Sequence, residues 1–277
     1  MDDIGRLERL VARRGPYEVT QHLMHVLAEE LERHGRQALE DLRAALREEG
    51  LLQRLLWELP DAPRLARQFG YALDLARVQG GDSVQSLTGA CRSVIAASRV
   101  HAEQAVREAG RWLVPGAVLY LHGFDVRCEL MLRQIAPGVE PAHVYLAGAP
   151  VGVPARFGTV SVEVVPDSAS AVESAVRDSD LVLFLARSVG YATVLAVAGS
   201  ALAYFSAQGY GKRVALLADH ADAFAVPVRE PLLPADPAKT ICLSRFGPLP
   251  LADLGDGTSC RIAAELWPSA LQRPDWP

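Results

Sequence analysis

Four polar residues stand where apolar runs give way to turns, and their types suit proton transfer: His122 and Asp125 in one turn, Asp219 and His220 in a later one. An imidazole titrates near neutral pH, and a carboxylate can orient it. His122 can therefore serve as a general acid or base, with Asp219 or His220 arriving from a neighbouring strand end. A plainer role fits the same spacing, because Asp125 precedes a helix-like stretch and can cap its first turn. His22 and His25 lie three apart at helical spacing, but no third ligand accompanies them and no metal is implied. The sequence carries neither a GxGxxG run nor a P-loop, so no dinucleotide or other cofactor is indicated.

Composition narrows the setting. The chain has 277 residues, 50% hydrophobic and 22% charged, with a formal net charge of -5. That is enough apolar material for a substantial core, and the acidic balance argues against a nucleic-acid surface. The N-terminus is acidic, and no stretch reaches the roughly 20 apolar residues of a membrane span. Cys91, Cys128, Cys242 and Cys260 are scattered without a CxxC pair, so neither a zinc site nor a disulfide framework is expected. A cytoplasmic setting is the expectation, with no membrane contact.

Two regimes must position these residues. Residues 1–111 read as a helical N-terminal domain: Val19, Leu23, Val26, Leu27 and Leu31 fall at helical spacing, as do Leu39, Leu42, Leu46 and Leu51. A last long helix is predicted over about 83–110. Residues 112–277 read as an α/β domain. Apolar runs at 117–121, 143–147, 160–165, 181–185 and 214–218 alternate with helix-like stretches at 126–135, 168–177 and 190–208. That alternation predicts a Rossmann-like, mainly parallel sheet with helices on both faces, whose ligands lie beyond the carboxyl ends of the strands. Beyond Val226 the chain is proline-rich and is expected to form an extended arm, then a short helix near 262–266.

Several runs carry a family likeness. Pro115-Gly-Ala-Val-Leu-Tyr-Leu-His-Gly-Phe124 resembles the first-strand motif of the initiation factor 2B alpha/beta/delta regulatory-subunit family, which includes methylthioribose-1-phosphate and ribose-1,5-bisphosphate isomerases. Val164-Val-Pro-Asp-Ser168, Asp180-Leu-Val-Leu-Phe-Leu-Ala-Arg-Ser-Val189, Ala198-Gly-Ser-Ala-Leu-Ala203 and the run from Lys212 to Phe224 resemble later motifs in the same order. The resemblance covers roughly residues 85–226. It implies a homodimer and a pocket shaped for a sugar phosphate or nucleotide.

The departures bear on activity. Where the isomerases place a cysteine and an aspartate as an acid/base pair, this chain has Gly123 and Arg187. Cys128, five residues beyond Gly123, could substitute or could simply pack as a small apolar residue. Exchanging an aspartate for Arg187 turns the implied pocket towards holding an anion, with Ser188 and helix-start amides as partners for a phosphate or carboxylate. The alternative is a salt bridge or a solvent-facing Arg187. The resemblance thus implies a binding or scaffolding protein without the isomerase pair. The other reading is an enzyme of altered chemistry on a phosphorylated ribose or nucleotide, using His122, Asp125, Cys128 or His220. Leu119-Tyr-Leu-His-Gly-Phe124 and Ala186-Arg-Ser-Val-Gly190 also look like the oxyanion loop and nucleophile elbow of an α/β-hydrolase. A serine hydrolase, however, would need Asp219 to orient His220, and chain neighbours at a strand end face opposite sides.

Overall fold

A computed structural model of the chain describes residues 83–134, 143–186, 188–189, 193–195, 199–218, 233–235, 240–244 and 247–251, with scattered helical positions between 21 and 78. Helix α1 spans Val84–Trp112. Its start is fixed by Ser83, whose hydroxyl accepts from the Ser86 amide at 3.1 Å. Leu87, Cys91, Val94 and Ile95 pack its first half against Met24, Ala28, Leu31, Ala72 and Ala76. Ala105, Val106 and Ala109 pack its second half on the sheet. Of the N-terminal apolar positions, Leu31 is buried, whereas Val26 is 40% exposed. Leu39, Leu42, Leu46 and Leu51 lie outside the described residues.

From there the chain alternates: β1 (Val118–His122), α2 (Val126–Gln134), β2 (His143–Ala147), β3 (Arg156–Phe157), β4 (Val160–Val164), α3 (Ala169–Asp178) and β5 (Leu181–Leu185). Then come β6 (Ser188–Val189), β7 (Thr193–Leu195), α4 (Ser200–Gly209), β8 (Arg213–Leu217), β9 (Leu233–Pro234), β10 (Ile241–Ser244) and β11 (Gly247–Pro250). The main sheet runs β11-β10-β8-β5-β1-β2-β4-β3. All neighbours are parallel except the two edge pairs, β10–β11 and β3–β4.

Both faces are covered, which is why the inner strands read as unbroken apolar runs rather than alternating ones. Tyr120, Val182, Phe184 and Leu216 meet α3 and α4 through Val172, Val176, Ala203 and Ala207. Leu119, Leu121, Leu183 and Leu217 meet α1 and α2 through Val106, Cys128, Met131 and Leu132. The fold is α/β, a mainly parallel sheet with helices on both faces, preceded by helix.

The chain adds β2 and β4 on one side of β1, then returns to add β5, β8 and β10 on the other. That reversal places the topological switch point between β1 and β5, where the carboxyl-end crevice of such a sheet opens.

Two expectations change. The stretch 190–208 is not one helix: β6 and β7 form a small antiparallel sheet with β9, and α4 begins only at Ser200. Thr193 and Val194 favour extended backbone, and Gly199, at φ 85°, makes the turn into the helix. The proline-rich arm also does more than cover the core, since its β10 joins β8 in parallel and extends the sheet. The expected helix at 262–266 lies outside the described residues.

Candidate functional site

His122 ends β1 at the switch point and is 2% exposed. Tyr120 shares its face of the strand, two residues back, and its hydroxyl lies 3.0 Å from His122 Nδ1. Burial, and secondarily the Asp167 carboxylate, push the Tyr120 phenol well above its usual range, so it keeps its proton. When that hydroxyl donates to Nδ1, the imidazole hydrogen resides on Nε2. Phe184, at the end of β5, tilts against the ring with centroids 5.7 Å apart.

The start of α4 lies against the imidazole. A β-carbon on Gly199 would lie 3.5 Å from His122 Cε1 and 3.8 Å from Nε2. The N-cap of α4 is Gly199, which has no side chain to cap with, whereas α3 is capped by Ser168, whose hydroxyl accepts from the Ala171 amide. A helix start beside a buried histidine at the switch point is a position that favours an anionic group.

Gly123 continues the edge at φ 102°, and its amide donates to the Ala147 carbonyl at 2.9 Å, joining the ends of β1 and β2. Asp125 then caps α2: Oδ1 accepts from the Arg127 amide at 2.7 Å. Its carboxylate also holds the Arg127 guanidinium, at 3.0 Å from Nε and 2.7 Å from Nη2, and both side chains are 3% exposed.

Local sequence places Arg127 and Arg133 on the surface of an amphipathic helix, and Arg133 is exposed beside Glu129. Arg127 instead lies inside, donating to the Ala186 carbonyl at 2.9 Å and the Leu217 carbonyl at 3.3 Å. The reason is tertiary: the ends of β5 and β8 meet there, and a guanidinium has enough N–H groups to serve the Ala186 and Leu217 carbonyls and Asp125.

Cys128 is fully buried on the opposite face of the sheet, among Leu121, Met131 and Leu132. Burial first, then the charges of Asp125 and Glu129, raise its thiol well above the usual range. It does not meet His122. Ser188 lies in β6 with its backbone paired to Leu195, rather than in a strand-to-helix turn. Arg187, Asp219 and His220 lie outside the described residues. The structure thus gathers His122, Gly123 and Asp125 in one turn. To these it adds Tyr120, Arg127 and Gly199, which the sequence reading did not single out as site residues. Tyr120 was recoverable from its position two residues before His122; Arg127 and Gly199 depend on partners 59 to 90 residues and 77 residues away.

The sequence matches no protein-family model and no curated protein. Solved structures do match it. The eIF2B beta subunit of Chaetomium thermophilum is 18% identical with a TM-score of 0.58, the match covering 95% of this chain and 96% of that one. A chain of the tetrameric eIF2B beta2-delta2 complex of the same organism is also 18% identical, with a TM-score of 0.65 over 91% and 92% of the two chains. The eIF-2B translation initiation factor of Pyrococcus horikoshii is 12% identical, with a TM-score of 0.66 over 90% and 98%. Over nearly its whole length, this chain has the fold of the eIF2B beta and delta subunits.

Proposed function

We propose that the carboxyl edge of the sheet, at the β1–β5 switch point, binds a phosphorylated small molecule of the ribose phosphate or nucleotide class. The observation that carries this reading is the juxtaposition of His122 with the start of α4, whose N-cap is Gly199. The helix amides and the imidazole receive the phosphate, and Gly123 lets backbone approach the sugar. Arg187, Ser188 and Asp219 follow β5 and β8 in sequence and supply further contacts. With Gly123 and Arg187 at the positions of the isomerase pair, the protein binds or scaffolds rather than isomerises. A homodimer in the cytoplasm, with residues 1–111 and 112–277 as its two domains, completes the reading. One of the structural relatives is itself described as a tetrameric complex.

The enzymatic alternative draws support from the Tyr120–His122 contact, which fixes an imidazole at the switch point. Asp125 and Cys128 contribute little to it, one held in an ion pair and the other buried on the far face.

Thermal unfolding with matched ligand pairs tests the proposal. Ribose 5-phosphate and AMP raise the Tm, and ribose and adenosine at the same concentrations do not. Equal responses within each pair would reject a phosphate site.

A further inference from the structure

We infer that Arg127 is a positioning residue that holds the ends of β5 and β8 at the carboxyl edge. The inference rests on reading that edge as a ligand site. The carbonyl of Ala186, just beyond β5, and that of Leu217, the last of β8, both accept from its guanidinium. The Ala186 amide donates to the same Leu217 carbonyl at 3.1 Å, so two strand ends and one side chain form a closed hydrogen-bonded group. Asp125 anchors this group to the first turn of α2 and so links it to the turn that follows His122.

Its charge and geometry separate this arginine from an anion-binding one. The guanidinium faces the Asp125 carboxylate and is almost wholly buried, so it offers the cleft no net positive charge. What it supplies is fixed geometry, since a planar fork can hold an acid and two carbonyls in set directions and a flexible ammonium cannot.

The test is Arg127→Lys, compared with Val172→Ala, a cavity substitution in α3 on the face of the sheet opposite α2. Amide hydrogen exchange in the lysine variant is faster by at least about tenfold at Ala186 and Ala218, the scale of one lost charge-assisted hydrogen bond, while Leu121 and Val144 keep their protection. Val172→Ala shows no such localised loss. Should the lysine variant fail to fold, the paired change Asp125→Asn with Arg127→Gln removes both charges and must show the same local loss. Unchanged exchange at Ala186 and Ala218, or uniform acceleration across the sheet, overturns the inference. Calorimetric titration with ribose 5-phosphate separates it from the ligand reading. Wild type and Val172→Ala bind alike, and Arg127→Lys binds about tenfold more weakly. A wild type that takes up no ribose 5-phosphate overturns the ligand site alone, because the exchange result needs no ligand.

Discussion

Gly199 stands against the imidazole of His122, so close that a methyl group on it would rest 3.5 Å from Cε1. That spacing is ordinary contact, so Gly199→Ala is opposed by its backbone rather than by a clash. At φ 85° an L-residue is strained, and the substitution should cost about 1–2 kcal/mol. The new methyl also lies against Cε1 and Nε2 of the ring at the start of α4. Denaturant unfolding should show the loss, and ribose 5-phosphate should stabilise the variant less than wild type. A variant as stable as wild type would contradict the left-handed turn.

The Asp125–Arg127 pair should respond asymmetrically to mutation. Asp125→Ala removes the helix cap and leaves a guanidinium buried without its counter-charge, a change that costs about 3–5 kcal/mol. Combining it with Arg127→Met should recover part of that loss, because no uncompensated charge remains. Urea midpoints of the two singles and the double form the cycle. Strictly additive losses would show that the two side chains do not act together.

Alkaline pH should weaken the fold through Cys91. Burial raises its thiol from 9.0 to about 12. Between those values the folded protein keeps a proton that the unfolded chain releases, so stability is intact below pH 9 and falls as pH rises. This one group contributes a slope of about 1.4 kcal/mol per pH unit. Tyr120 and Cys128 shift in the same direction and steepen the loss. Urea unfolding from pH 8 to 10.5 should give Cys91→Ala a shallower decline than wild type; parallel declines would contradict a thiol held protonated by the core.

What the sequence revealed follows from burial. Strands β1, β2, β5 and β8 are covered on both faces, so they are apolar runs that glycine, proline and polar turns delimit clearly. β10 has only four residues among prolines, too short a run to separate from an arm. The stretch before α4 is apolar without a period, and only its pairing with β6 and β9 makes β7 a strand. His122 was legible because it closes an apolar run. Arg127 was not, because local sequence places it in the first turn of an amphipathic helix. Only the ends of β5 and β8, brought there by the sheet order, make it an interior residue.

The ring resonance of His122, identified by its loss in His122→Gln, reports most directly on whether the switch point receives a phosphate. Titrating ribose 5-phosphate into the protein should shift that signal saturably, while ribose leaves it in place. A signal that stays fixed through the titration, or moves equally with ribose, would contradict a phosphate held between His122 and the start of α4.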